Sequence, residues 1–209
     1  MLQKLKPLLV AKQLREKKLY LFTPRELKRV FGVSSFAVSW FLTTYTKKGF
    51  ITKLRNGLYA LTDYLPTSFT IANQLYMPSY ISLDTALSFH HIIPETVYAV
   101  TSVTTKNTRE FEAIDIRFTY QQILRSAYTG YRPLTYLGDT ILMAEPEKAL
   151  ADYLYFIARG KRQLLYERLD LARIKKTKLM QYADLFRQPA MHKLVRHIYA
   201  EFRKPARIY

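Results

Sequence analysis

The chain has 209 residues, of which 49% are hydrophobic and 14% aromatic, a composition that predicts one or two packed domains and excludes a wholly disordered chain. Its formal net charge is +17, and it has no cysteine, which excludes disulfides and thiolate metal sites. No stretch approaches the roughly 18 apolar residues that span a bilayer, and the N-terminus lacks a signal-peptide pattern, so we expect a cytoplasmic protein without membrane contact.

Two helices are predicted at the start of the chain. The first covers residues 7–18 and packs three apolar side chains on the helices that follow: Leu8, Ala11 and Leu14. The second begins after Thr23, because Thr23 is a good N-cap, Pro24 suits the first helical position and Glu26 completes a capping box. Gly32 can adopt the left-handed conformation, so we expect it to end this helix at a tight turn.

A third helix is predicted to begin after its N-cap, Ser34, and to end where Gly49 can turn the chain. Its apolar residues recur at three- and four-residue spacing and are expected to face the core: Val38, Phe41, Leu42 and Tyr45. The opposite face is then exposed, and its members are mostly polar: Ser34, Ser35, Ser39, Trp40, Thr43 and Lys47.

A hairpin is predicted after the third helix. Residues 50–54 and 58–61 form its strands, and Asn56-Gly57 between them is a strong signal for a tight turn. Two helices and a hairpin in this order are typical of a winged helix-turn-helix, whose second helix enters a DNA major groove about 12 Å wide. Cationic side chains beside that helix and on the wing are then predicted to pair with phosphates: Lys47, Lys48, Lys53 and Arg55. A module that contacts only proteins is the alternative.

The charge distribution favours a polyanionic partner. Residues 1–61 contain 13 Lys and Arg against 2 Asp and Glu, residues 62–158 contain 6 against 10, and residues 159–209 contain 14 against 4. Basic blocks on both sides of a slightly acidic centre are expected when particular faces meet nucleic acid. A single run such as 175–178 is equally compatible with a solvated helix face.

The predicted fold class is α+β: an N-terminal winged helix-turn-helix over residues 1–65, and a mixed α/β domain over 66–209 with a small sheet and C-terminal helices. Between them, residues 64–78 are expected to form a connecting segment with one short strand or helix. A helix capped by Ser82 then covers 82–91. Four strands are expected, over 96–103, 113–120, 135–137 and 140–144. Four further helices are expected, one starting at Pro146 and the others over 162–169, 176–186 and 190–202.

Three segments carry a resemblance to a known family: residues 48–61 (KGFITKLRNGLYAL), 80–90 (YISLDTALSFH) and 144–152 (AEPEKALAD). The chain resembles, over nearly its whole length, the AbiEi-like antitoxins of type IV toxin–antitoxin and abortive-infection systems, which are described as regulators of viral defence. The last two segments are the more specific, because winged helices alone are widespread.

The resemblance implies a transcriptional autorepressor that binds inverted repeats in its own promoter and an antitoxin that opposes a nucleotidyltransferase-like toxin. Inverted repeats also imply two protomers on one operator. The resemblance assigns DNA binding to the matching exposed positions: Ser34, Ser35, Ser39, Trp40, Thr43, Arg55 and Asn56. Trp40 departs from many winged helices, which carry arginine or lysine there, so contact with sugar or thymine methyl groups and a place in the core both stay open for it. The alternative function is a module that neutralises the toxin through protein or RNA contacts without specific DNA binding.

Neither an enzymatic role nor a cofactor is predicted. The six glycines fall at expected turns and helix ends, so none forms a phosphate-binding loop. The histidines occur as His90 with His91 and as His192 with His197, and neither pair has the four-residue spacing of a helical metal site.

Two groups of charged residues resemble catalytic sites in composition alone. Three carboxylates lie around a predicted strand, where they more often solvate a sheet edge than bind Mg²⁺: Glu110, Glu112 and Asp115. Four charged residues lie at the start of a predicted helix: Glu145, Glu147, Lys148 and Asp152. Carboxylates in a first helical turn favour the helix dipole, and Lys148 and Asp152 have the spacing of an ordinary surface pair.

Overall fold

A computed structural model describes residues 5–161 and 169–202, and within these ranges the fold is α+β, with eight α-helices and two sheets. The helices are α1 (Pro7–Glu16), α2 (Pro24–Phe31), α3 (Ser35–Lys47), α4 (Ser68–Leu75), α5 (Leu83–Phe89), α6 (Pro146–Ala158), α7 (Lys176–Asp184) and α8 (Pro189–Phe202). The strands are β1 (Leu21–Phe22), β2 (Ile51–Arg55), β3 (Leu58–Leu61), β4 (Ser79–Ile81), β5 (Val100–Thr104), β6 (Arg109–Ala113), β7 (Ile116–Gln122), β8 (Tyr131–Tyr136) and β9 (Asp139–Ala144). The helix expected over 162–169 lies outside the described residues. In the described ranges, none of the helices has both the length and the apolar content required to cross a membrane.

The first three helices pack against a three-stranded antiparallel sheet of order β1-β3-β2. One apolar core joins all six elements, and its most deeply buried members include Val10, Leu14, Phe22, Leu27, Phe41, Ile51 and Leu61. The prediction of Leu8 as a core residue is wrong, because its side chain is 83% exposed. Helix α1 instead packs through Val10, Ala11 and Leu14.

The predicted boundaries of α2 and α3 are confirmed, whereas α1 ends at Glu16, two residues before its predicted end. Thr23 Oγ1 accepts a hydrogen bond from the Glu26 backbone N–H, and the Glu26 carboxylate accepts one in return from the Thr23 N–H at 2.7 Å. Gly32 adopts a left-handed conformation with φ of 61° and ends α2. Gly49, with φ of 73°, turns the chain out of α3.

The second sheet is mixed and has six strands in the order β6-β7-β5-β4-β9-β8. Strands β5 and β7 are parallel, as are β4 and β9, and the remaining neighbours are antiparallel. The four predicted strands correspond to β5, β7, β8 and β9, whereas β4 and β6 were not predicted. Helices α5 and α6 pack on each other, and α7 and α8 cover α6.

The β2–β3 hairpin contributes side chains to both apolar cores. Ile51 belongs to the core of the first three helices, whereas Leu54 and Leu58 belong to the core around the six-stranded sheet. The side chain of Arg55 also donates a hydrogen bond from Nε to the backbone carbonyl of Leu75 at 2.7 Å. The hairpin therefore packs on the core around the six-stranded sheet as well as on the first three helices. The predicted division after residue 65 stays a prediction.

Candidate nucleic-acid interface

Helix α3 exposes most of the polar residues that were predicted to contact DNA. Ser35, Ser39 and Thr43 are exposed to solvent along one side of the helix. Ser34 is half-buried, and its Oγ accepts a hydrogen bond from the Ala37 backbone N–H at 3.2 Å. That hydroxyl satisfies a backbone N–H at the start of the helix, which would otherwise lack a partner in the helix. Ser34 therefore positions α3, and less of its side chain is available to a ligand than of Ser35 or Ser39.

Two aromatic side chains lie on the same exposed face. Phe36 is 76% exposed, although its position was not among the predicted site residues. Trp40, one helical turn further on, is 44% exposed and meets the ring of Tyr45 edge-on at 6.5 Å between centroids. The spacing could have indicated Phe36, because it lies four residues before Trp40 and on the side opposite to Phe41.

A groove of about 400 Å³ separates α2 from the serine side of α3. Its polar lining comes from both helices and from the hairpin: Arg25, Lys28, Ser35, Ser39, Thr43 and Tyr59. Arg25 and Lys28 are exposed and add two positive charges beside the serines. Neither was among the predicted site residues, since the capping signals that define α2 say nothing about which of its cations border α3.

The cations at the end of α3 and on the hairpin are available to an anionic ligand. Lys47, Lys48 and Lys53 are exposed, and no carboxylate within the described residues lies within 4.0 Å of their Nζ atoms. Arg55 differs, because besides its bond to Leu75 it donates from Nη1 to the carbonyl of Asn56 at 2.8 Å. Its guanidinium thus anchors the hairpin tip, where Asn56 itself is exposed.

The charged residues at the start of α6 form a buried network. Lys148 and Asp152 are both 0% exposed and form a direct ion pair, so the prediction of an ordinary surface pair is wrong. The other carboxylate oxygen of Asp152 accepts hydrogen bonds from Ser82 Oγ at 2.7 Å and from the Tyr80 hydroxyl at 3.1 Å. Ser82 occupies the N-cap position of α5, as predicted, but its side chain accepts no capping hydrogen bond from the helix and points its hydroxyl at Asp152 instead.

Burial dominates the electrostatics of this pair. It raises the pKa of Asp152, an effect that attraction to Lys148 and the hydrogen bonds from Lys148, Ser82 and Tyr80 oppose. It lowers the pKa of Lys148, whose ammonium also lies 4.8 Å from the ring centre of Phe186. The pair therefore joins α6 to β4 and to the residues that follow α7, at a considerable desolvation cost.

The acidic residues that precede this pair also have internal partners. Glu145 accepts a hydrogen bond from the Tyr182 hydroxyl at 2.6 Å and pairs with Lys178 at 2.9 Å. Glu147 accepts one from the backbone N–H of Lys175 at 3.2 Å. These contacts fasten α7 to α6, which gives the AEPEKALAD segment a structural role.

The remaining charged candidates do not converge. Glu110 pairs with Arg117 at 2.6 Å across the β6–β7 hairpin. His90 lies with Nε2 2.8 Å from the carbonyl oxygen of Ala144, and burial lowers the pKa of this histidine. In the described ranges, no three His, Asp or Glu side chains are grouped to hold a metal ion.

Comparison with known proteins leaves the family resemblance an expectation. No family model matches the chain, and no curated protein matches it significantly. Functional inference therefore depends on the geometry of α2, α3, the hairpin and the surfaces around them.

Proposed function

We propose that α2, α3 and the β2–β3 hairpin form a winged helix-turn-helix, and that the chain is a sequence-specific DNA-binding transcriptional autorepressor. The observation that carries this proposal is the exposed polar side of α3, with Ser35 and Ser39 near its N-terminal end. Small polar side chains at that end of a helix can reach base edges in the major groove.

The charges around α3 support a duplex as the ligand. Five exposed cations border the helix, on α2, at the end of α3 and on the hairpin: Arg25, Lys28, Lys47, Lys48 and Lys53. When a helix enters a DNA groove, cations on both of its sides can pair with the phosphate backbones on the two edges of that groove. Arg55 supports binding indirectly, because it holds the hairpin tip in place.

Phe36 allows a further step within this proposal. A side chain that is 76% exposed on the second residue of α3 lies where base contacts are expected. An aromatic ring can contact the C5-methyl group of thymine, so Phe36 would favour operators with thymine at one position.

Phe36 is also the observation that favours the second candidate function. An exposed aromatic side chain beside Trp40 suits a protein partner, and the resemblance described above names a nucleotidyltransferase-like toxin as that partner. We include three further properties in the autorepressor proposal: antitoxin activity, a cytoplasmic location and the pairing of two protomers on inverted repeats. They depend on the resemblance and on no contact within the described residues.

Binding to the DNA upstream of the gene tests the proposal. Fluorescence anisotropy would compare a labelled upstream duplex with a scrambled duplex of equal length. Lys53→Ala is expected to weaken both complexes by a similar factor, because a phosphate contact carries no sequence information. Ser35→Ala and Ser39→Ala are expected to reduce the preference for the upstream duplex, because they remove contacts to base edges.

Lys193→Ala is the matched control, since Lys193 is exposed on α8, a helix that packs on α6 and α7. Equal losses on both duplexes for the serine variants would contradict the assignment of base contacts to α3. Failure of the wild-type chain to prefer the upstream duplex would contradict the proposed function as a whole.

A further inference from the structure

A second cationic surface lies between the tip of the hairpin and β6, the edge strand of the six-stranded sheet. The two elements border a cleft of about 880 Å³. Four cations line it, two from the hairpin and two from the second half of the chain: Lys53, Arg55, Lys106 and Arg109. We refer to this surface as the cationic cleft.

The cations of the second half are held in place by aromatic rings. The Lys106 ammonium and the Arg109 guanidinium lie 5.5 and 5.9 Å from the ring centre of Tyr76, and Arg109 also lies 5.1 Å from that of Phe111. Tyr76 is itself fixed, because its hydroxyl donates to the carbonyl of Asn107 at 3.2 Å. These contacts restrict the conformations of the Lys106 and Arg109 side chains, so less conformational entropy is lost when a ligand binds.

On the opposite wall, Arg55 is constrained as well. Arg55 is tied to the carbonyls of Leu75 and Asn56, so its charge faces the cleft from a fixed hairpin tip. Lys53 is exposed beside it on β2.

The positive charge of the cleft is poorly compensated within the described residues. Glu112 is the single carboxylate among the lining residues, against four cations. The neighbouring Glu110 is engaged by Arg117 at 2.6 Å and does not neutralise Arg109. Like charges that converge without acidic partners repel one another, and a polyanion would relieve that repulsion.

We propose that the cationic cleft binds closely spaced phosphate groups, either those of a free polyphosphate or those of a sugar-phosphate backbone. The four cations lie on two facing walls, so several linked phosphates can pair with more of them at once than a single phosphate can. Because Lys53 belongs both to the cleft and to the proposed DNA-binding hairpin, a free polyphosphate bound here would compete with DNA. That regulatory consequence depends on the proposed function, whereas polyphosphate binding itself does not.

Isothermal titration calorimetry of the whole chain with sodium tripolyphosphate provides the first arm of the test. Lys106→Ala and Arg109→Ala are each expected to weaken binding about tenfold, the typical effect of losing one charge-assisted hydrogen bond. Both side chains are exposed, so the fold should tolerate their removal. Lys193→Ala removes the same charge elsewhere and is expected to leave binding unchanged.

The second arm measures a DNA duplex with the same variants across a salt series, which distinguishes the two sources of phosphate. If tripolyphosphate does not bind but Lys106→Ala and Arg109→Ala each reduce the salt slope by about one, the cleft contacts the DNA backbone. If tripolyphosphate binds with the expected losses and the salt slope on DNA is the same in both variants as in Lys193→Ala, the ligand is a free polyphosphate. If both measurements change, the cleft takes phosphates from either source. The proposal is overturned if neither substitution changes either measurement relative to Lys193→Ala. A chain that shows no operator preference but loses tripolyphosphate binding in the two variants would refute the proposed function alone.

Discussion

Replacing Lys148 by methionine would test the structural role of the buried ion pair. Lys148 and Asp152 have no exposed side-chain surface, and Asp152 also accepts hydrogen bonds from Tyr80 and Ser82. Methionine is unbranched and a good helix former, so it can retain the contact with Phe186 while removing the charge. The substitution therefore leaves a buried carboxylate without the cation that lies against it.

The expected loss of unfolding free energy is a large fraction of the stability of a single domain. Removing one partner of a buried ion pair costs about 3–5 kcal/mol, against a typical free energy of unfolding of about 5–15 kcal/mol. For a chain of this length, each kcal/mol lowers the melting temperature by about 2–4 °C, which predicts a decrease of roughly 6–20 °C.

The loss should also depend on pH. Burial raises the pKa of Asp152, and loss of Lys148 raises it further, so the folded variant retains a proton at pH values where the unfolded chain has released it. When the pKa of a group is higher in the folded state than in the unfolded chain, the fold loses stability as pH rises above the pKa of the unfolded chain. For aspartate that pKa is about 4. Lys148→Met should therefore be less damaging at about pH 5 than at about pH 7.

Urea unfolding followed by circular dichroism measures these effects for Lys148→Met, Asp152→Asn and the double variant. The double variant buries no charge, so it should lose less free energy than the sum of the two single variants. Asparagine can still accept from Tyr80 and Ser82, which keeps those two hydrogen bonds. An unchanged urea midpoint for Lys148→Met, or strict additivity in the double variant, would refute the reasoning.

Two further predictions concern single positions. Gly130 has φ of 75°, and an added Cβ would lie 2.6 Å from the ring of Tyr182, so Gly130→Ala is expected to cost about 2–4 kcal/mol. Gly138 has φ of 86° and open space around it, so Gly138→Ala should cost about 1–2 kcal/mol, and equal melting temperatures for the two variants would argue against the Tyr182 contact. Phe36→Ala should weaken binding to a thymine-containing operator, whereas a deoxyuridine duplex, which lacks the methyl group, should bind both forms equally. Equal losses on the two duplexes would remove the thymine contact.

The helices and hairpin of the first 61 residues could be predicted because their signals are local. The capping box of Thr23 and Glu26, the left-handed Gly32 and the Asn56-Gly57 turn each act over a few residues, and the structure contains all three. The exposure of Leu8 could not be predicted in the same way. It lies in an apolar run of four residues, which covers more of the helix than one face, and tertiary packing selects Val10 and Ala11.

The second sheet gives weaker signals in the sequence. Strand β6 has the sequence REFEA, whose three charged residues conceal any alternation of apolar side chains, and its edge position explains why such residues are tolerated there. Strand β4 has three residues, fewer than periodicity can identify. Its pairing with β5 and β9 is a long-range contact that no local pattern indicates.

The buried pair on α6 shows why the roles of charged residues were the hardest to predict. Lys148 and Asp152 have the four-residue spacing of a surface pair, and the same spacing occurs inside a core. Whether they are buried depends on α7 and α8, which cover α6 from distant parts of the sequence. The cationic cleft likewise combines residues 53–55 with residues 106–109, which only the tertiary fold brings together.

Salt-dependent binding of the wild-type chain to the DNA upstream of its gene tests the central claim most directly. Five exposed cations around α3 predict that the logarithm of affinity falls with the logarithm of salt concentration with a slope of about −4 to −5 per protomer. Preference for the upstream duplex over a scrambled one should persist as salt increases, because base contacts release few counterions. Absence of binding at low salt, or equal affinity for both duplexes throughout, would contradict the account.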